Sequence, residues 1–264
     1  MATRRGALSR LTLVLLAAAL AACHLGQPGP KTADWSYSGA NGPAFWPSLF
    51  QADCAGQAQS PIELCGAERA ATLPTLHLDY HTVPTLTAIH SGHDVRVAVP
   101  SGGGTLRIGD DPTAWTLVEF HFHGPSEHTL RGTSYPLEIH LVHDWVESGI
   151  THKAVVGVFL AAGAANSELT KIWLPQQPGQ RITATNFDLS QLLPDRRNSY
   201  RYTGSLTTPA CNERVLWHVL AEPRTITPAQ IRTFQAVFSG LSYPYGNQRP
   251  VQPINGRPVV TDVP

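Results

Sequence analysis

Two runs of alternating side chains dominate the middle of the chain. In EFHFH (119–123), Phe120 and Phe122 fall on one face of an extended strand, and His121 and His123 on the other. In LEIHLVHDW (137–145), Leu137, Ile139 and Leu141 share one face, while Glu138, His140 and Val142 share the opposite one. The intervening GPSEHTLRGTSYP is rich in turn formers. The two runs therefore read as neighbouring antiparallel strands, with His140 beside His121 and His123. His143 follows His140 by three residues, and alternation turns it to the other face. Gly and Pro number 22 each, which breaks the chain into many short elements and predicts a β-dominated protein.

The amino terminus carries a different pattern. MATRRGALSR places Arg4, Arg5 and Arg10 ahead of LTLVLLAAALAA, an uncharged apolar run. A basic start and a short apolar core predict a signal peptide over residues 1–22, too short to span a membrane comfortably. The run closes with LAAC, Leu20 to Cys23, which resembles a bacterial lipobox and makes Cys23 the lipidated first residue of the mature chain. Arg4–Arg5 also fits twin-arginine export. Residues 23–33 read as lipidated terminus and flexible linker. Export to the periplasm, with anchoring through Cys23, is the expected localisation. An oxidising compartment permits disulfides. Cys54, Cys65 and Cys211 then remain, allowing at most one bridge among three possible pairings.

Composition narrows the partners. Hydrophobic residues make up 42% and charged residues 14% of the 264, which suits a packed globule and argues against disorder. Basic and acidic side chains balance at 19 each, and three of the arginines lie in the leader, so the remainder is mildly acidic. No basic segment marks a nucleic-acid binder.

The histidines carry the chemistry. An HxH pair on one strand is weak evidence by itself. A third imidazole from the adjacent strand gives three neutral ligands with an open fourth position, the pattern of catalytic rather than structural zinc. No cysteine accompanies them, which argues against a zinc finger.

Six segments, in order, carry a resemblance: WSYSGANGPAFW (35–46), QSPIEL (59–64), FHFHGPSEH (120–128), LEIHLVH (137–143), YRYTGSLTTPAC (200–211) and NQRPVQPINGR (247–257). Over Trp35 to Arg257 the chain resembles the α-class carbonic anhydrases. The resemblance implies a single catalytic domain over 34–264, mainly β with short helices (α+β), around a large twisted, mostly antiparallel central sheet. It implies Zn²⁺ held by His121, His123 and His140. The implied activity is reversible hydration of CO₂ to bicarbonate and a proton by zinc-hydroxide attack, inhibited by sulfonamides and small anions.

Further roles follow from the same resemblance. Thr207 orients the reacting oxygen and passes its own proton to Glu127. Val142, Val155, Leu206 and Trp217 line the CO₂ pocket, and Thr208 sits near bicarbonate. His93 is the proton shuttle, with His90 a possible second relay and Tyr37 ordering the shuttle water. Glu138 supports His140. Glu119 stands where the family usually has glutamine; it accepts from the His121 ring and adds negative charge near the metal. His128 and Tyr202 belong to a buried hydrogen-bond network. Exported relatives join a cysteine before QSPI to one after the threonine loop, which pairs Cys54 with Cys211 and leaves Cys65 as a free thiol. His24, His77, His81, His143, His152 and His218 read as structural or exposed. Small-molecule substrate, membrane contact only through the lipid, and a monomer or homodimer complete the expectation. The rival is a non-catalytic surface-binding relative, but such proteins typically lack one or more of the ligand histidines retained here.

Overall fold

The computed structural model describes residues 34–51 and 53–264; the expected signal peptide and linker, with Cys23, lie outside them. Among the described residues, twelve strands form one sheet. They are β1 (Glu68–Arg69), β2 (Leu76–Tyr80), β3 (Thr82–His90), β4 (Val95–Ala98), β5 (Gly104–Ile108), β6 (Trp115–His123), β7 (Leu137–Glu147), β8 (Ile150–Ala162), β9 (Arg181–Asp188), β10 (Ser199–Ser205), β11 (Glu213–Ile226) and β12 (Val260–Thr261). The main order is β1-β12-β10-β11-β8-β7-β6-β4-β3-β9, with β2 and β5 branching from β6. Pairing is antiparallel except for β1 with β12 and β8 with β11. The β-dominated, mostly antiparallel architecture expected from the sequence is therefore what is found.

Three short α-helices among the described residues punctuate the sheet: α1 (Trp46–Leu49), α2 (Ser167–Lys171) and α3 (Pro228–Val237). Asn166 caps α2 by accepting from the Glu168 and Leu169 amides. Thr227 and Gln230 form a capping box at the start of α3, with Pro228 at its first position. That helix lays Ile231 and Phe234 into the core. Ser148 and Gly149 both adopt positive φ at the tip of the β7–β8 hairpin, as a two-residue primed turn requires.

β6 and β7 are the histidine-bearing runs, and their alternation holds. Phe120, Phe122, Leu137, Ile139 and Leu141 enter the large core behind the sheet, with Phe187 and Phe234. Val142, Val155, Phe159 and Trp217 belong to a smaller cluster on the front. β7 is buried on both faces from Leu137 to His143, because β6 and β8 flank it and packing covers each side.

His143 lies on the rear face, 2.8 Å from the Tyr80 hydroxyl through Nε2. His218 is also buried, and neither of its ring nitrogens meets a protein partner. Burial, assisted by nearby Arg201 and His143, pushes its pKa down to about 3. The unfolded chain binds that proton near pH 6.5, so the neutral ring's contribution is full above that value and is lost as pH falls toward 3. Replacing the orphaned imidazole with His218→Leu is expected to stabilise the protein by about 1–3 kcal/mol. It should also remove up to about 1.4 kcal/mol per pH unit from the acid limb of stability. Urea unfolding between pH 7 and 4 measures both; an unchanged slope would contradict the assignment.

Candidate metal centre

His121 stands directly opposite His140 in the β6–β7 ladder, and His123 is two residues along on the same face. Ring centroids are 5.0 Å apart for His121 and His123, 5.3 Å for His121 and His140, and 4.6 Å for His123 and His140. All three are buried, and one ligand nitrogen from each falls within a 4.8 Å group.

Each ring turns its other nitrogen toward an acceptor. His123 Nδ1 donates to the Asn247 carbonyl at 2.7 Å, leaving buried Nε2 without a partner. His121 Nδ1 is 3.2 Å from Glu119 Oε1, and His140 Nε2 is 3.1 Å from Glu138 Oε1. Such anchors fix both ring orientation and tautomer. Burial pushes His123 and His140 down to about 4. Burial acts the same way on His121, but the Glu119 carboxylate reverses it and the net direction is up. Three nitrogens converging from secured rings, one of them orphaned, fit a metal ion.

The supports are themselves buried. Glu138 Oε1 also lies 2.8 Å from His128 Nδ1, while Oε2 accepts from the Glu127 and His128 amides at 2.9 Å each. Burial opposes its ionisation, yet His128 and His140 hold it well below the usual carboxylate range. His128 continues to Tyr202 at 2.7 Å, and Tyr202 to Ser60 Oγ at 2.9 Å. Glu127 is raised by burial, against the pull of His123 and the Arg249 amide, which donates to Oε1 at 2.8 Å. Thr207, buried beside it, further stabilises the carboxylate.

A cavity of about 270 Å³ opens onto His121 and His140. Val142, Val155 and Trp217 are register partners across β7, β8 and β11, forming a continuous apolar wall. Leu206, Thr207 and Thr208 close another side. Cys54 and Cys211 are disulfide-bonded, with Cα atoms 4.9 Å apart, and Cys65 is free and exposed. The Cys211 amide donates to the Thr208 carbonyl at 2.8 Å, so the bridge braces the threonine loop.

Residues 41–263 match the family of eukaryotic-type carbonic anhydrases. The chain belongs to the α-carbonic anhydrases. It is 38% identical to a carbonic anhydrase of Klebsiella pneumoniae over 86% of this chain and 90% of that one. It is 38% identical to one from Nostoc sp. over 97% of each. The α-carbonic anhydrase of Thermovibrio ammonificans, solved with the inhibitor sulfanilamide, superposes with a TM-score of 0.76 at 38% identity, covering 86% of this chain and 99% of that one.

Within this α-carbonic anhydrase, His93 is half-buried and stacks on Trp35, centroids 3.9 Å apart, and Trp35 lines the cavity. His90, the possible second relay, is instead buried against Phe238, with Nδ1 accepting from the Gly92 amide. It faces the rear core because alternation on β3 puts it there, and its ring braces the turn. Tyr37 is buried among Trp35, Trp46 and Tyr243, its hydroxyl without a protein partner.

Several residues around the centre escaped the sequence reading: Arg96 and Lys153 in the cavity wall, Asn247 and Arg249 behind the ligands, and Gly157. Only Gly157 left a clear signal, a glycine inside the apolar run AVVGVFL. It pairs with His140, and a Cβ there would lie 2.8 Å from Glu138 Oε1. Gly157→Ala should displace that carboxylate and weaken metal binding by about tenfold or more; chelator competition would show this, and unchanged affinity would refute it.

Proposed function

We propose that this chain is an exported, zinc-dependent enzyme catalysing the reversible hydration of CO₂ to bicarbonate and a proton. The observation that carries the proposal is the convergence of three anchored imidazoles onto a small cavity with an apolar wall. Nitrogen-only ligands with a position left open suit catalytic Zn²⁺. The chemistry supplied by the ion when bound is ionisation of water near neutral pH, an effect for which carbonic anhydrases are the reference case.

The protein's own groups supply orientation and proton movement. Glu119, Glu138 and the Asn247 carbonyl hold His121, His140 and His123 at fixed angles. Val142, Val155 and Trp217 offer CO₂, which has no hydrogen to donate, a surface that water does not prefer. Leu206 and Thr208 bound the product side. The Thr207 hydroxyl donates to Glu127, so its oxygen is left to accept from the reacting water and aligns it with carbon. The Thr207 amide contributes to orienting CO₂.

His93 takes the proton outward. Burial lowers its pKa, against the pull of Asp94, so the ring is a neutral acceptor at physiological pH. Tyr37 orders water along that path. The proposed layout is a leader over 1–22, a lipidated terminus and linker over 23–33, and a catalytic domain over 34–264. The Cys54–Cys211 bridge supports export to an oxidising compartment. No described helix is long and apolar enough to cross a membrane, and the proposed attachment is through Cys23.

Stopped-flow CO₂ hydration tests the reading. The zinc-loaded protein should turn over rapidly, lose activity on zinc removal, and be blocked by a sulfonamide. Zinc-loaded protein without turnover would sink it. Thr207→Ala and Glu127→Gln should each lower kcat/KM by about 10²-fold. His93→Ala should lower kcat while sparing kcat/KM, with imidazole buffer restoring it; equal losses in both would remove His93 from the proton path.

A further inference from the structure

Arg96 stands directly opposite His121 in the β4–β6 ladder and lines the same cavity. Its Nε lies 3.0 Å from Glu119 Oε2 in an ion pair, and its Nη2 donates to Asp94 Oδ2 at 3.0 Å. The other Glu119 oxygen is the one beside His121 Nδ1, at 3.2 Å. Asp94 is gripped in turn by the Ser91 hydroxyl, whose oxygen accepts from the His93 and Asp94 amides. One polar path therefore runs from a ligand ring to the turn that carries His93.

The charges along this path are unequal in exposure. The Asp94 and Glu119 side chains are 5% and 17% exposed, whereas Arg96 is 48% exposed. Two largely buried carboxylates raise each other's energy, and Arg96 is the cation that touches both. Its planar guanidinium suits this task, because one group hydrogen-bonds Asp94 while lying in ion-pair contact with Glu119.

Resting on the zinc reading above, we infer that Arg96 is a positioning residue for the metal centre. It locks Glu119 onto His121 and cancels the negative charge that Glu119 brings there. A glutamate beside a ligand histidine would otherwise repel the anions that the site releases. With Arg96 in place, the ring keeps a strong acceptor behind it at little net charge.

The test compares wild type, Arg96→Gln, Arg96→Lys, Glu119→Gln and the Arg96→Gln/Glu119→Gln double variant. Zinc release into a chelator and azide binding to the zinc-loaded protein by calorimetry are the two readouts, with melting curves to verify folding. Arg96→Gln should release zinc about tenfold faster and bind azide about three- to tenfold more weakly. The double variant, again neutral at both positions, should recover azide affinity to within about twofold. Arg96→Lys should keep azide affinity but release zinc faster, since one ammonium does not span both carboxylates; it also serves if the glutamine variant does not fold. Wild type that takes up no zinc would overturn the zinc reading itself. Zinc-binding wild type with Arg96→Gln unchanged, or changed equally with and without Glu119, would overturn only the role given to Arg96.

Discussion

The register between β6 and β7 is the constraint on which the site depends. A slip of one residue would exchange the two faces of a strand, sending His121 and His123 into the core and Phe120 and Phe122 into the cavity. What prevents it lies on the far side of the sheet. Phe120, Phe122, Leu137, Ile139 and Leu141 are all essentially inaccessible to water, and each such burial is worth about 1.5–3 kcal/mol. The apolar face thus decides where the ligand face points. The hydrophobic effect, which has no direction of its own, acquires one through the pleat.

The front of the sheet faces the opposite problem. Glu127, Glu138, His123, His128 and His140 are all buried, in a medium where unpaired polar groups are costly. They persist because most of their polar atoms meet a hydrogen-bond or ion-pair partner. Glu138 alone engages two imidazoles and two backbone amides. Such a network allows little movement, since shifting one ring strands another group's partner. The rigidity that results is what a ligand set must have to hold one geometry.

Distant segments finish the centre. The carboxyl-terminal stretch returns to place Asn247 against His123 and the Arg249 amide against Glu127. The disulfide fastens the threonine loop to the early chain. Arg96 arrives from β4 and Lys153 from β8, where Asp144 holds it at 2.7 Å. The cavity is therefore assembled from the consecutive strands β6, β7 and β8 together with β4 and β11, which lie beside them in space but further off in order.

What the sequence determined by itself is what local periodicity and motif order encode. The period of two put His121, His123 and His140 on one face and His143 on the other. Turn residues marked the strand ends, and six ordered motifs named the family and paired Cys54 with Cys211 by likeness. Tertiary structure decided what depends on register between strands and on packing in depth. That is why Arg96 met Glu119, why Gly157 must lack a side chain, why His90 turned into the core, and why His218 was buried without a partner. None of these follows from a residue's neighbours in the chain. Each is set by which strand lies alongside it and by how much water that strand excludes.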